Sequence, residues 1–180
     1  MCTTDIFDFL QQRRSIRKYK DKEVEPEKIE RLLEAGVLAP SAGNSQPWRF
    51  KVIENQEIIE QLIEETMSAY NATWMSKGTP KLIAVCGNHT KIVDKYGERG
   101  KDLYIIQDTA AAIQNILLTA PTLGLGTCWI GAFNEKKAEE ILNLNSPLRI
   151  YSFITVGYPK EKLGPRTSRK DLSEVVSYIK

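Results

Sequence analysis

Arg13-Arg14-Ser15-Ile16-Arg17, taken with Ala39-Pro40-Ser41-Ala42-Gly43-Asn44-Ser45-Gln46-Pro47-Trp48, decides how this chain is read. In an extended chain alternate side chains face the same way, so Arg13, Ser15 and Arg17 converge on one ligand. Two guanidiniums, planar and charged at any physiological pH, and a rotatable hydroxyl suit a phosphate monoester. Taken alone, the basic run from Arg13 to Lys22 also reads as a solvated face or a weak nucleic-acid patch. In the second stretch small residues permit close backbone approach, while Asn44 and Gln46 each offer the donors and acceptors that a ring system needs. An isolated Gly43-Asn44 would instead be an irregular loop in which Asn44 caps its own backbone.

With 180 residues and 42% hydrophobic composition the chain can bury a core and is expected to form one domain over 1–180. A formal net charge of +2 with 27% charged residues gives no whole-protein field that would argue for nucleic acid or an anionic membrane. Cys2, Cys86 and Cys128 stand far apart with no CxxC or Cys/His grouping, so neither a disulfide framework nor a metal site is expected, and a reducing cytoplasm fits. Asp5 and Asp8 interrupt any signal-peptide core, and no apolar run approaches the roughly 20 residues of a membrane span, so the protein is expected to be soluble. His89 is the only histidine and reads as a solvated loop residue; without a Gly-x-Ser-x-Gly elbow it supports no hydrolase. Any enzyme chemistry is then expected from a cofactor.

Along the chain, Ile6, Phe9 and Leu10 have helical spacing behind a cap at Thr3 or Thr4, and Pro26 opens a helix that runs to about Pro40. Trp48 to Glu54 alternates as a strand and Gln56 to Glu65 returns to helix. Residues 66–78 are left among a mobile helix over the site, a dimer contact and a plain surface helix. Lys81 to Gly87 is an apolar strand, Gly97 to Gly100 punctuate a charged loop, and Leu103 to Leu118 form a helix apolar on more than one face. Gly124 suits the left-handed position after that helix, Thr127 to Phe133 reads as a strand, and Glu135 to Leu142 as a helix. Leu148 to Val156 forms the last strand, before a loop leading to the Asp171 to Lys180 tail. The order is α+β and leaves strand topology open. Gly124-Leu125-Gly126 is no dinucleotide fingerprint, since Trp129 occupies the third glycine position and the stretch follows a helix and opens a strand. Gln107-Asp108 reads as an internally satisfied polar pair or as a site contact.

The two opening stretches, Leu123-Gly124-Leu125-Gly126-Thr127-Cys128-Trp129-Ile130-Gly131, and Gly157-Tyr158-Pro159 followed by Arg169-Lys170-Asp171-Leu172 resemble, in order and over nearly the whole chain, the nitroreductase family of FMN-dependent oxidoreductases. The resemblance implies a central mixed, mainly antiparallel sheet flanked by helices, in an intertwined homodimer with FMN at the interface. It assigns Arg13, Arg14, Ser15, Arg17 and Arg169 to the FMN phosphate, Asn44 to the flavin edge, Pro40 and Ser41 to backbone or stacking contacts, and Gln46 to their vicinity. The backbone of Cys128, Trp129, Ile130 and Gly131 would lie along the flavin near N5; from the residues themselves, Trp129 reads otherwise as a core residue and Cys128, with no base or positive neighbour evident, as a packed thiol. No protein side chain is required as acid or base. NADH or NADPH would donate hydride and a nitroaromatic, quinone or related small acceptor would take the electrons in a ping-pong cycle. The same cradle serves reductive dehalogenases, heterocycle dehydrogenases and flavin-fragmenting enzymes; from a different class, the alternatives are a non-catalytic flavin-binding or storage module and a phosphorylated-ligand binding protein.

Overall fold

Runs rich in β-branched and apolar residues build the sheet in a computed structural model that describes residues 5–162 and 164–179. Its strands are Trp48–Ile53 (β1), Lys81–Asn88 (β2), Gly126–Ile130 (β3) and Leu148–Gly157 (β4), in the order β1-β2-β4-β3. Every ladder is antiparallel, with Trp48 opposite Gly87, Lys81 opposite Val156 and Gly126 opposite Gly157. The sole described parallel contact is an isolated bridge between Ser15 and Thr127.

β2 is buried on both sides because helices cover both faces of the sheet, which is why its sequence is a continuous apolar run. Alternation along it divides the core: Ile83 and Val85 face one cluster, and Leu82, Ala84 and Cys86 the other. The first cluster holds Ile29 and Leu32 of α2 (Pro26–Val37) and Ile113 and Ile116 of α6 (Ile105–Thr119). The two helices cross closely at Gly36, where a Cβ would lie 3.1 Å from both Ile116 Cδ1 and Phe50 Cζ. The second holds Ile59, Leu62 and Ile63 of α3 (Gln56–Thr66), Met75 of α4 (Ala69–Met75) and Ala138 of α7 (Glu135–Ile141). Asn55 caps α3 by accepting the Glu57 and Ile58 amides at 2.9 and 3.2 Å, and Asn134 caps α7 through the Lys137 amide at 3.2 Å.

The first helix, α1 (Ile6–Gln12), is capped by Asp5, whose carboxylate accepts the Phe7 amide at 3.1 Å; the expected caps Thr3 and Thr4 lie outside the described residues, as does Cys2. The charged stretch after β2 is not a loop but a helix, α5 (Thr90–Arg99), with Gly97 at φ +57° inside it. It feeds a widened turn, Gly100–Tyr104, so that α6 starts at Ile105 rather than Leu103. Gly100 permits that close passage, since a Cβ there would sit 2.4 Å from the Ile92 carbonyl oxygen. His89 is half-buried rather than solvated: its Nε2 lies 2.8 Å from the Tyr151 hydroxyl because the end of β2 lies beside the start of β4. Trp129 is no core residue either. Alternation on the edge strand β3 turns Cys128 and Ile130 inward and leaves Trp129 42% exposed. Gly124 takes the left-handed conformation at φ +72° as expected.

Tyr19 ties the N-terminal segment to this sheet. Its buried hydroxyl donates to the Ile16 carbonyl at 2.6 Å and shares a second bond of 2.6 Å with Thr155 Oγ1. Tyr19→Phe removes the donor and strands the Ile16 carbonyl, so it should lower unfolding free energy by about 1–3 kcal/mol. Urea titration followed by tryptophan fluorescence reads this directly, and an unchanged midpoint with an unchanged slope would contradict the assignment.

Candidate functional site

The segment from Arg13 to Lys20 is extended and lies in the groove between β3 and the chain after β4. The Ile16 amide donates to the Thr127 carbonyl at 2.9 Å, and Lys20 N–H to the Tyr158 carbonyl at 2.8 Å. Lys160 N–H returns a bond to the Lys18 carbonyl at 3.0 Å, which brings the C-terminal loop alongside. Between the two segments opens a cleft of about 480 Å³. Arg13, Arg14, Ser15, Arg17 and Arg169 all line it, so the structure gathers the two ends of the chain as the sequence pattern anticipates.

Electrostatics in the cleft are one-sided. Partial burial lowers the pKa of Arg13, and the charges of Arg166, Arg169 and Arg14 lower it further, in that order. Arg14 Nη1 donates to the carbonyls of Gln11 and Arg13, while its buried Nε has no partner among the described residues. Arg169 folds over its own loop, donating to the Thr167 carbonyl, Thr167 Oγ1 and the Ser168 carbonyl at 3.2, 3.1 and 3.0 Å. Arg17 lies 6.0 Å from the Tyr70 ring centre and 5.9 Å from that of Trp74, which places α4 beside the cleft. Burial pushes the Cys128 thiol up despite the nearby Arg17, Ser15 and Arg13, so it is a packed thiol and not a thiolate nucleophile. Arg166 and Lys162 also line the cleft and were not singled out from sequence. The density of Lys and Arg from Lys160 to Lys170 was their signal.

The other proposed ligand residues are elsewhere. Trp129 and Gly131 open on a separate groove of about 290 Å³, shared with Ile106 and Thr109 of α6. Pro40, Ser41, Asn44 and Gln46 precede β1, on the opposite edge of the sheet from Ser15. From the Trp48 register to the Thr127 register the sheet advances from Arg149 to Val156 of β4. That is about 23 Å along the strand, with three strand spacings, about 14 Å, across it. One chain therefore cannot bring both sets to a single ligand.

The 41–46 turn is nevertheless rigidly made. Gln46 N–H donates to Ser41 Oγ at 3.0 Å and Gln46 Nε2 to Asn44 Oδ1 at 3.1 Å. Gly43, Asn44 and Gln46 all take positive φ, and a Cβ on Gly43 would lie 2.3 Å from Lys95 Nζ. Asp108, 6% exposed at the start of α6, holds the turn from below, accepting the Ala42 amide at 3.0 Å and the Ser45 hydroxyl at 3.3 Å. Its partners are the turn rather than Gln107.

Burial raises the Asp108 pKa against the pull of those two hydrogen bonds. A folded pKa above the unfolded one favours the fold while the group is protonated, and this contribution is lost as pH rises from the ordinary carboxylate range through the folded value. Asp108→Asn keeps an acceptor for Ala42 and stays neutral, so its stability relative to the parent protein should increase as pH rises from about 4 through the folded value. Asp108→Ala should cost about 1–3 kcal/mol by stranding the Ala42 amide. Urea midpoints measured across that pH range decide both.

Comparison with known proteins adds the following. A family model described as Nitroreductase family matches residues 10–158. A Methanothermobacter thermautotrophicus protein provisionally named NADH dehydrogenase/NAD(P)H nitroreductase is 39% identical over 166 residues, covering 90% of this chain and 81% of its own. A nitroreductase family protein from Clostridium difficile 630 superposes with a TM-score of 0.82 at 30% identity, over 98% of each chain. A provisionally named nitroreductase from Desulfovibrio desulfuricans, solved in complex with FMN, superposes at 0.78 with 30% identity, over 98% of this chain and 97% of its own.

Proposed function

The chain belongs to the nitroreductase family, and on that premise we propose that it is an FMN-dependent oxidoreductase, a single domain over 1–180 working as a homodimer. The observation that carries this reading is the cleft itself. Half-buried Arg13 and Arg14, the Ser15 hydroxyl, Arg17 and Arg169 surround it, and the buried Arg14 Nε is without a partner. An FMN phosphate would satisfy that donor and relieve the mutual repulsion of the guanidiniums, so the residues fit the group. Trp129 and Gly131, exposed at the end of β3, would border the ring together with the backbone of Cys128 and Ile130.

Pro40, Ser41, Asn44 and Gln46 would come from the second subunit, since the sheet separates them from the cleft of their own chain. The turn suits the task because its conformation is locked by Asp108 before any ligand arrives, which leaves little ordering cost at binding. Bound FMN would supply the redox chemistry, taking hydride from NADH or NADPH and passing electrons to a nitroaromatic, quinone or related small acceptor. The chain's own contribution is to bind, orient and shield. Its one histidine is engaged with Tyr151 and lies outside the cleft, in keeping with a reaction that needs no side chain as acid or base.

The purified protein should carry FMN and bind riboflavin far more weakly. Arg13→Ala with Arg17→Ala removes two charge-assisted contacts of roughly 1.5–3 kcal/mol each, so FMN affinity should fall at least about 100-fold with little loss of fold. Released chromophore, analysed after denaturation, and fluorescence titration provide the readout; equal affinity for riboflavin and FMN would defeat the phosphate assignment.

Light scattering should return the mass of a dimer at submicromolar concentration, with an interface above roughly 2,000 Å² in total. NADH or NADPH alone should bleach the flavin in stopped flow, and initial-rate plots against an acceptor should be parallel. A flavin-loaded monomer would contradict the dimer, and a flavin that neither nicotinamide reduces would move the protein to the readings that use another electron source or only bind FMN.

A further inference from the structure

The cleft holds more positive charge than one phosphate can use. Arg13, Arg14, Arg17, Lys162, Arg166 and Arg169 line it, and among the described residues none has a carboxylate within ion-pair distance. Its acid, Glu161, is 2.8 Å from Lys18. A phosphate monoester carries at most about two negative charges. In the other lysine-rich cleft, near Pro80, the buried cation, Lys81, pairs with Glu54 and Glu23.

The six cations also differ in setting. Arg13 and Arg14 are half-buried at the floor, as suits a resident group. Arg17, Lys162, Arg166 and Arg169 are exposed, the last three on the C-terminal loop, and Arg166 is the largest single charge acting on Arg13. Once Arg13, Arg14, Arg17 and Arg169 serve the FMN phosphate, Arg166 and Lys162 are left as unpaired charge beside it. Of the reactants of the proposed reaction, nitroaromatics and quinones carry no phosphate, whereas both nicotinamide donors carry a diphosphate and NADPH a further 2′-phosphate.

We propose that Arg166 and Lys162 form a second phosphate subsite, beside that for FMN, which takes a phosphate of the nicotinamide dinucleotide. This rests on the FMN reading above. It makes the C-terminal loop a determinant of donor affinity, with the 2′-phosphate and the diphosphate as the two sources of the recognised group.

The test uses the flavin-loaded protein and the variant R166A/K162A. Flavin content is read by absorbance, and calorimetric titration with 2′,5′-ADP and with ADP reports nucleotide binding apart from turnover; KM for NADPH and NADH follows. The variant should retain its flavin and lose about 10-fold or more in nucleotide affinity. A loss confined to 2′,5′-ADP and NADPH identifies the 2′-phosphate, and an equal loss for ADP and NADH identifies the diphosphate; either supports the subsite. Unchanged affinity for both nucleotides in a flavin-loaded variant overturns it. So does a variant that sheds flavin while binding nucleotide as before, because the two residues then serve FMN. A wild-type protein without flavin overturns the underlying reading instead.

Discussion

Two paired glycines make the groove on which this structure depends. Gly126 and Gly157 face each other at the ends of β3 and β4, with Ile16 over the first and Tyr19 over the second. A Cβ on Gly126 would lie 2.6 Å from Ile16 Cγ1, and one on Gly157 would lie 2.7 Å from Tyr19 Cδ1 and from Pro80 Cγ. Neither contact has slack, because Ile16 branches at Cβ and the Tyr19 ring is rigid. The absence of two side chains therefore lets an extended segment reach hydrogen-bonding distance of the sheet, and the bond from Ile16 to Thr127 then sets where Ser15 and Arg17 point.

Electrostatics work against that arrangement. Gathering Arg13, Arg14, Arg166 and Arg169 around one cleft carries a repulsion visible in the depressed pKa of Arg13, whose first cause is burial itself. Packing offsets it: Tyr19 and Ile16 lock one wall to the sheet, and the paired amides around Lys18, Lys20, Tyr158 and Lys160 lock the other. A cleft that is costly when empty binds anions well, since the ligand removes the repulsion as well as making contacts. The 41–46 turn uses the opposite device, a buried carboxylate that collects the Ala42 amide and the Ser45 hydroxyl so that the turn is made before it is used.

The arginine segment, the strands and the main helices were legible in the sequence because each rests on local chemistry: alternation for strands, apolar spacing for α2, α3 and α6, and Gly124 at its left-handed position. Arg13, Ser15 and Arg17 do line one cleft, but Arg14, Ile16 and Lys18 line it with them, so alternation alone does not select the three. Where the reading went astray, a tertiary neighbour had intervened. His89 is shielded by Tyr151, a residue of a strand far along the chain. Trp129 is exposed because β3 became an edge, and the charged stretch after β2 became helical by packing Ile92 into the interior.

Family membership and the basic segment from Arg13 to Arg17 were thus determined by the sequence, since residue types and spacings carry them. Tertiary structure alone decided that Asp108 belongs to the 41–46 turn, that Arg166 and Lys162 join the cleft, and that the turn and the cleft stand at opposite corners of the sheet. The physical reason is that hydrogen-bond register and strand order are long-range properties. An apolar strand will pair with any suitable edge, and which edge it meets is settled by the packing of helices on both faces, which no local pattern encodes.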